Sequence, residues 1–462
     1  MTIMGALVLG LAVAGLVGVP RALPVAVGAA AALPHTAGVV AAGYGVPLFF
    51  CVAVLVCVQG LRTPALGTRA LSANALAVFV VWSVLVTALA PAAFAGVPVL
   101  SPREGVDEQV HAPSELAYTV SAVAQVGYLV LAACTVVVLV RLRAAGAALA
   151  TAAVVGTVLS AVRGLLDGVA PGIGDALVDT LPGIYYATGD DGRLRGVFAE
   201  PSELAAFSLP VVAWAAVTAW GARGGRRIGA CLVGLVALVL LLLSASGTAV
   251  TAAALVLGTG VVLLAAHFVR TGGAHAPWVV LGALGVAVVV LLAGERLTDP
   301  VAELVRDKVG SQSWGARTAA DLIGLRVLVD THGFGAGLGG NRSSSFLVSL
   351  ASCVGVVGLA LFLVMVASLA GKALNRPEAR PAAVALLTLV ATKAVSAPDL
   401  STPLLWVLVA ACGQAAWPPR PCSTAPPPTR PHGAPPRPVP SRPPVPSPSP
   451  VPSGTPTIGA VP

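Results

Sequence analysis

Charge is what this sequence lacks. Of its 462 residues only 10% are charged, while 57% are hydrophobic. Ordinary soluble domains carry about 25% charged residues. A chain this poor in charge has too little polar side chain to cover a soluble surface. The deficit excludes a soluble enzyme, a coiled coil and a disordered scaffold for the bulk of the sequence. Alternating apolar strands are missing too. The apolar runs are continuous, which excludes a transmembrane β-barrel. Cysteine is sparse, and six of the seven (Cys51, Cys57, Cys134, Cys231, Cys353 and Cys412) lie inside apolar runs without a metal-type CxxC pair. That argues against both a zinc site and a disulfide framework. Lysine is nearly absent, three against twenty-four arginines. Basic clusters interleaved with aromatic residues are missing, so the net charge of +8 signals membrane topology, with no nucleic acid as partner.

What is present reads as an all-α polytopic membrane protein. A helix needs about 20 apolar residues to cross the bilayer. Segments 3–19, 45–60, 72–95, 118–140, 145–163, 203–220, 227–243, 247–267, 277–293, 345–370, 382–398 and 402–417 qualify. Segment 22–42 is interrupted by Pro24, Pro34 and His35. The expectation is about 12 transmembrane helices, or 13 if 22–42 also crosses. The first stretch has no basic flank, so it reads as a retained span rather than a signal peptide.

Arginine placement sets the orientation. One set of loops carries Arg62 and Arg69, Arg141 and Arg143, Arg223, Arg226 and Arg227, Arg270, then Lys372, Arg376 and Arg380. These loops alternate with acidic ones and are expected on the cytoplasmic side of a plasma membrane. Two long loops, about 164–202 and 294–344, are expected on the extracytoplasmic side and folded, because they carry regular patterns. Asp299-Pro300 reads as the start of an amphipathic helix over 298–310, with a second helix over 315–330. From 418 to 462 the sequence turns Pro-rich with scattered arginines. This stretch reads as a disordered cytoplasmic tail following a membrane domain over 1–417.

Two loop constellations carry the chemistry. The first runs Arg193-Leu194-Arg195-Gly196-Val197-Phe198-Ala199-Glu200-Pro201-Ser202-Glu203, beside Tyr185 and Tyr186. Pro201 reads as the first helical residue and Glu203 as a carboxylate favoured by the helix dipole. The second holds Arg317, then Thr331-His332-Gly333-Phe334-Gly335-Ala336-Gly337-Leu338-Gly339-Gly340-Asn341-Arg342, running into a membrane helix at Ser345. Gly335, Gly337 and Gly339 permit positive φ and close approach. Their backbone N–H groups suit an anion nest beside a helix N-terminus. The bland reading of Arg317 is a helical pair with Asp321. Lys393, near one end of its span, reads as a snorkelling side chain.

Together the two constellations resemble the O-antigen ligase and polysaccharide polymerase superfamily, over about residues 190–370. One departure stands out: Gly247 occupies a place in Ser244-Ala245-Ser246-Gly247-Thr248 where the family often has arginine, so no site is assigned there. The resemblance implies a metal-independent, cofactor-free glycosyltransferase on the outer membrane face. Its donor would be a glycan on a polyprenyl diphosphate, and its substrates would be repeats of an exopolysaccharide, capsule or O-antigen-like polymer. Arg195, Arg317 and Arg342, with Asn341 and the three glycines, would then hold the diphosphate and glycan, since guanidinium groups bind phosphate bidentately and stay charged. His332 would take the acceptor proton, with Glu200 as the alternative base. Partners would be the lipid bilayer and other polysaccharide-assembly membrane proteins. A competing reading is a transporter or flippase of lipid-linked oligosaccharide, which would put its polar residues on broken helices at mid-bilayer.

Overall fold

The computed structural model describes residues 1–41, 43–63, 71–100, 113–170, 172–187, 192–245, 312–395 and 399–417. The expected spans 247–267 and 277–293, the expected helix 298–310, Gly247 and the Pro-rich tail lie outside the described residues, as do Arg69, Arg270 and the acidic Glu104, Asp107 and Glu108.

The described chain is mostly helical. Helices α1 (Ile3–Val17) and α2 (Ala22–Ala31) are followed by a hairpin of β1 (Ala37–Ala41) and β2 (Tyr44–Pro47), then α3 (Leu48–Leu61) and α4 (Leu71–Ala93). A two-residue ladder, β3 (Pro98–Val99) and β4 (Ser114–Glu115), precedes α5 (Val120–Arg141), α6 (Ala145–Val169) and the short α7 (Ile173–Val178). Next come α8 (Pro201–Gly221), α9 (Gly224–Leu243), α10 (Gln312–Asp330), α11 (Phe346–Leu374), α12 (Arg380–Val395) and α13 (Pro403–Ala416). Both hairpins are antiparallel, with Ala37 opposite Pro47 and Pro98 opposite Glu115. They are a departure from the purely helical expectation. The doubtful segment 22–42 resolves into ten helical residues and a strand, because Pro34 and the turn at His35 end the helical pattern.

Among the described residues six helices are long and apolar enough to cross a membrane: α4, α5, α6, α8, α9 and α11. The chain is a membrane protein of predominantly helical class. Local chemistry sets the helix starts. Thr2 and Thr119 accept the N–H groups of Gly5 and Ala122 at 2.9 and 3.1 Å as N-caps. Pro201 and Pro403 occupy first-turn positions, where a missing N–H costs nothing. The core is a continuous apolar cluster around α11, α12 and α13, with Phe49, Phe79, Phe346, Phe362 and Trp406 wholly buried.

The two ends of the bundle differ in charge. Arg62 donates to the carbonyl of Leu16, and Arg141 to that of Gly60. Arg143, Arg226 and Arg376, from three separate connections, line one hollow. The arginine-bearing loops that the sequence groups together thus meet at one end. At the other end Thr2 donates to the carbonyl of Ala37.

α11 is broken. Gly355 has φ 71° and ψ −178°, which interrupts the hydrogen-bond ladder inside an apolar helix. The freed groups are taken up by the glycine-rich loop after α10. Ala336 N–H donates to Ser352 O, Gly337 N–H to Cys353 O, and Val356 N–H to Gly333 O, at 2.8, 2.8 and 2.9 Å. Trp82 Nε1 donates to Val354 O at 2.8 Å. An unpaired backbone group away from water costs several kcal/mol, so this docking lets the break persist. A Cβ at Gly335 would lie 2.6 Å from both Cys353 O and Gly355 N, and Gly335 has φ 89°. Gly335→Ala is expected to lower stability by at least ~2 kcal/mol through strain and overpacking. Gly229→Ala, whose Cβ meets open space, is expected to leave stability unchanged or raised. Thermal unfolding of the detergent-purified protein checks both.

Candidate functional site

The expected site residues divide into those locked in the fold and those exposed. Gly335, Gly337 and Gly339 all have positive φ, as expected, but the loop does not form an open anion nest. Its N–H groups are spent on protein. Gly335 N–H goes to Thr331 Oγ1, Leu338 N–H to Thr87 Oγ1 at 2.9 Å, and Arg342 N–H to Leu100 O. The absent side chains make room for neighbours. A Cβ at Gly337 would lie 2.8 Å from Thr87 Cα, and one at Gly339 3.0 Å from Ser121 Oγ. Asn341 is 3% exposed and bonds on both sides of its amide. Oδ1 accepts from Leu100 N–H, and Nδ2 donates to Ser343 Oγ and Ser352 Oγ. Its role is to pin the loop. The helix N-terminus expected to meet a ligand anion has one already: Asp321 Oδ1 accepts from Ser344 and Ser345 N–H at 2.7 and 2.9 Å. Asp321 therefore caps α11 rather than serving Arg317. Arg317, His332 and Arg342 are exposed. His332 closes the C-terminus of α10 with φ 52°, its ring edge-on to Phe94 at 6.3 Å.

In the first constellation, Arg195 belongs to a buried ion cluster. It reaches Asp179 Oδ2 at 2.6 Å and Asp175 Oδ1 at 3.2 Å. Arg163 of α6 meets Asp179 Oδ2 at 2.9 Å and also pairs with Asp175 and Asp167. Arg195 also donates to Phe198 O and lies 5.5 Å from the Tyr186 ring centroid. Gly196 turns the chain with φ 57° hard against Ser160 of α6, where any Cβ would clash at 2.6 Å. The cluster straps Asp179 and the Arg195 segment to α6. Burial opposes the charge on Asp179, but the guanidinium groups of Arg195 and Arg163 outweigh it and hold its pKa below the ordinary carboxylate value. Glu200 is the N-cap residue of α8, its carboxylate accepting from Ser202 Oγ at 2.9 Å.

A second polar cluster, which the two motifs did not announce, surrounds a cavity of about 300 Å³. His35, Glu203, Lys393, Asp399 and Thr402 line it among apolar Phe50, Tyr128, Phe198 and Phe207. His35 Nε2 lies 2.7 Å from Glu203 Oε2, which also accepts the N–H of Ala199 at 3.1 Å. Glu203 is thus a capping group and an ion-pair partner at once. Its hydrogen bond to Nε2 leaves Nδ1 as the other ring nitrogen, and Nδ1 is buried without a partner among the described residues. Burial lowers the pKa of His35, but the Glu203 carboxylate more than reverses this and raises it above 6.5. Tyr186 Oη reaches the carbonyls of His35 and Leu181 at 3.1 Å each. Burial pushes its phenol up to about 12, so it stays a neutral donor.

Lys393 corrects the snorkelling expectation. It is 1% exposed, because Phe346 and the segment before α13 cover it. Nζ donates to Thr402 Oγ1 at 2.8 Å and lies 5.1 Å from the Phe346 ring centroid. Phe346 starts α11, four residues after Arg342, so the ring against Lys393 and the glycine loop share one helix terminus.

No protein-family model matches the chain, and no curated protein matches it in sequence. The assignment of roles therefore rests on geometry.

Asp179→Asn is expected to cost about 3 kcal/mol, because it leaves two buried guanidinium groups short of a carboxylate. Asp175→Asn, at a side chain 58% exposed, is expected to cost under about 1 kcal/mol. The Asp179 contribution is present above the unfolded carboxylate value of 3.8 and is lost as pH falls through its lower folded value. Unfolding midpoints of the two variants and the wild type across acidic pH measure both effects.

Proposed function

We propose that the chain is a glycosyltransferase of the membrane's outer face, polymerising or ligating oligosaccharide repeats carried on a polyprenyl diphosphate. The observation that carries this reading is the convergence of a half-buried His35–Glu203 pair and a buried Lys393 on one cavity at the end of the bundle opposite the arginine-rich loops. Ionisable groups buried in a membrane protein are costly and mark function. By the arginine rule the cavity end faces outward, and the loops of α10 and the glycine segment lie on that side.

Glu203 accepts from Nε2–H of neutral His35, so Nδ1 keeps its lone pair. In the proposed step Nδ1 takes the proton of an acceptor hydroxyl. That oxygen bonds to the anomeric carbon of the donor sugar, whose bond to the diphosphate oxygen breaks. The diphosphate leaves with the electron pair. Its charge is met by the Lys393 ammonium, and the exposed Arg317 and Arg342 add positive charge on the same face of the bundle. In this reading His35 replaces His332 as base, and Glu200 and Arg195 have structural duties.

The transporter reading draws on the break at Gly355. Discontinuous helices in transporters turn their freed groups toward an ion or substrate. Here those groups bond to the glycine loop and Trp82, which favours a static joint.

His35→Gln and Lys393→Met are expected to reduce surface polymer on gels at least ~100-fold, the scale of general-base catalysis, with protein level in the membrane unchanged. Arg195→Ala is expected to lower the protein level itself. Normal polymer from both cavity variants would sink the reading. The pH dependence has a definite sign. The base form of His35 is neutral, so transfer in proteoliposomes should rise through a limb above pH 6.5. The protonated His35–Glu203 pair stabilises the fold fully below 6.5, and that contribution fades as pH passes the raised value. Activity and thermal stability should therefore move in opposite directions across one pH interval, and His35→Gln should abolish the stability slope.

A further inference from the structure

At the arginine-rich end a hollow of about 780 Å³ opens between α6, α8, α9, α12 and α13. It shares no lining residue with the His35 cavity. Its mouth carries Arg143 from the α5–α6 turn, Arg226 from the first turn of α9 and Arg376 from the α11–α12 turn, against a single acid, Glu378. Its depth is apolar, with Leu149, Val154, Trp214 and Leu232. Topology requires arginine on this side of the membrane, but it does not require three arginines from separate connections to ring one hollow.

Two further observations ask for an anion there. Helices α6, α9 and α12 all begin at this end, so their positive dipole ends add to the arginines instead of offsetting them. Arg226 stands in the first turn of α9, where a cation is disfavoured by the helix itself. Below the mouth, Thr218 is 7% exposed, and its Oγ1 is buried with no partner among the described residues. A threonine inside a helix ordinarily bonds back to a carbonyl one turn earlier, as Thr87 and Thr135 do here. A buried hydroxyl without a partner, lining a hollow ringed by arginines, is a donor kept for something that enters the hollow.

We propose that this hollow binds an anionic membrane phospholipid, with its phosphate among Arg143, Arg226 and Arg376 and an acyl chain against Trp214 and Leu232. A cationic mouth over an apolar depth matches a lipid phosphate on a hydrocarbon chain. It mismatches the chain's own residues 418–462, whose charged side chains are all arginine. The site is independent of the glycan-transfer reading, since none of its residues acts in that step.

The test uses the full-length protein in phosphatidylcholine nanodiscs containing lipids with brominated acyl chains, which quench a neighbouring indole. The Trp214 signal is the difference between wild type and Trp214→Phe. Brominated phosphatidylglycerol should reach half of the Trp214 quench at about tenfold lower mole fraction than brominated phosphatidylcholine, the order that one charge-assisted contact supplies. Raised salt should shrink the difference, because the mouth is open to water. Equal quenching by the two lipids overturns the proposal. So does displacement of the phosphatidylglycerol by inorganic phosphate alone, which would make this an ion site. A preference that appears only after removal of residues 418–462 would make the tail the occupant and overturns it as well. An Arg143→Gln/Arg226→Gln/Arg376→Gln protein and, separately, Thr218→Val should weaken the preference. The wild-type comparison decides the question whether or not those variants fold.

Discussion

A backbone amide away from water must find its partner within the protein, and this fold is organised around one place where that rule is strained. Gly355 interrupts α11, the longest described helix, and frees carbonyl and N–H groups in apolar surroundings. The segment Gly333–Asn341 is shaped to receive them. Its positive-φ glycines turn the chain so that Ala336 and Gly337 face the broken ladder, while Thr87 and Leu100 hold the other side. The joint ties α4, α10 and α11 into one body. α4 reaches the loop through Thr87 and the break through Trp82. One side of Lys393 then follows, because Phe346, whose ring it lies over, is placed by the same helix.

Charge, scarce throughout, is spent in three ways. The arginines of the turns after α3, α5, α8 and α11 gather at one end of the bundle. A set of buried Arg163, Arg195 and Asp179 with exposed Asp175 balances internally and straps a loop to α6. A third set, half-buried His35 and Glu203 with buried Lys393, lies beside a cavity and is incompletely satisfied, at His35 Nδ1. The second set resembles a site in sequence and acts as a fastener. The third is weak in sequence and carries the chemistry proposed here. Partner satisfaction separates the two roles: a charge fully consumed by its neighbours has nothing left for a ligand.

Periodicity and hydropathy made the helices legible. The expected spans 72–95, 118–140 and 203–220 fall within a few residues of α4, α5 and α8, since long apolar runs have few alternatives. Pro201 as the first helical residue of α8 was legible through its capping chemistry. The strands at 37–47 were not, because a short apolar run of valine and glycine fits either class. Site residues fared unevenly for a physical reason. Glycine and arginine in a loop state that close approach and positive charge occur there, without saying toward what. Asp321, expected to pair along its own helix, instead caps the next one, a contact between residues 23 and 24 positions apart. The pairing of His35 with Glu203 spans 168 positions and leaves no local pattern. An isolated histidine inside an otherwise apolar stretch was its one visible sign.

The cap that Asp321 places on α11 has a mechanical meaning. One carboxylate holds the two residues that lead into a neighbouring helix, so α10 cannot swing away without withdrawing it. Loss of such a cap costs about 1 kcal/mol and loosens the turn that carries Phe346. Phe346 is the face against which Lys393 rests. Displacement of the exposed helix that bears Arg317 and the polarity felt by the buried ammonium are therefore a single coordinate, with Asp321 as its latch.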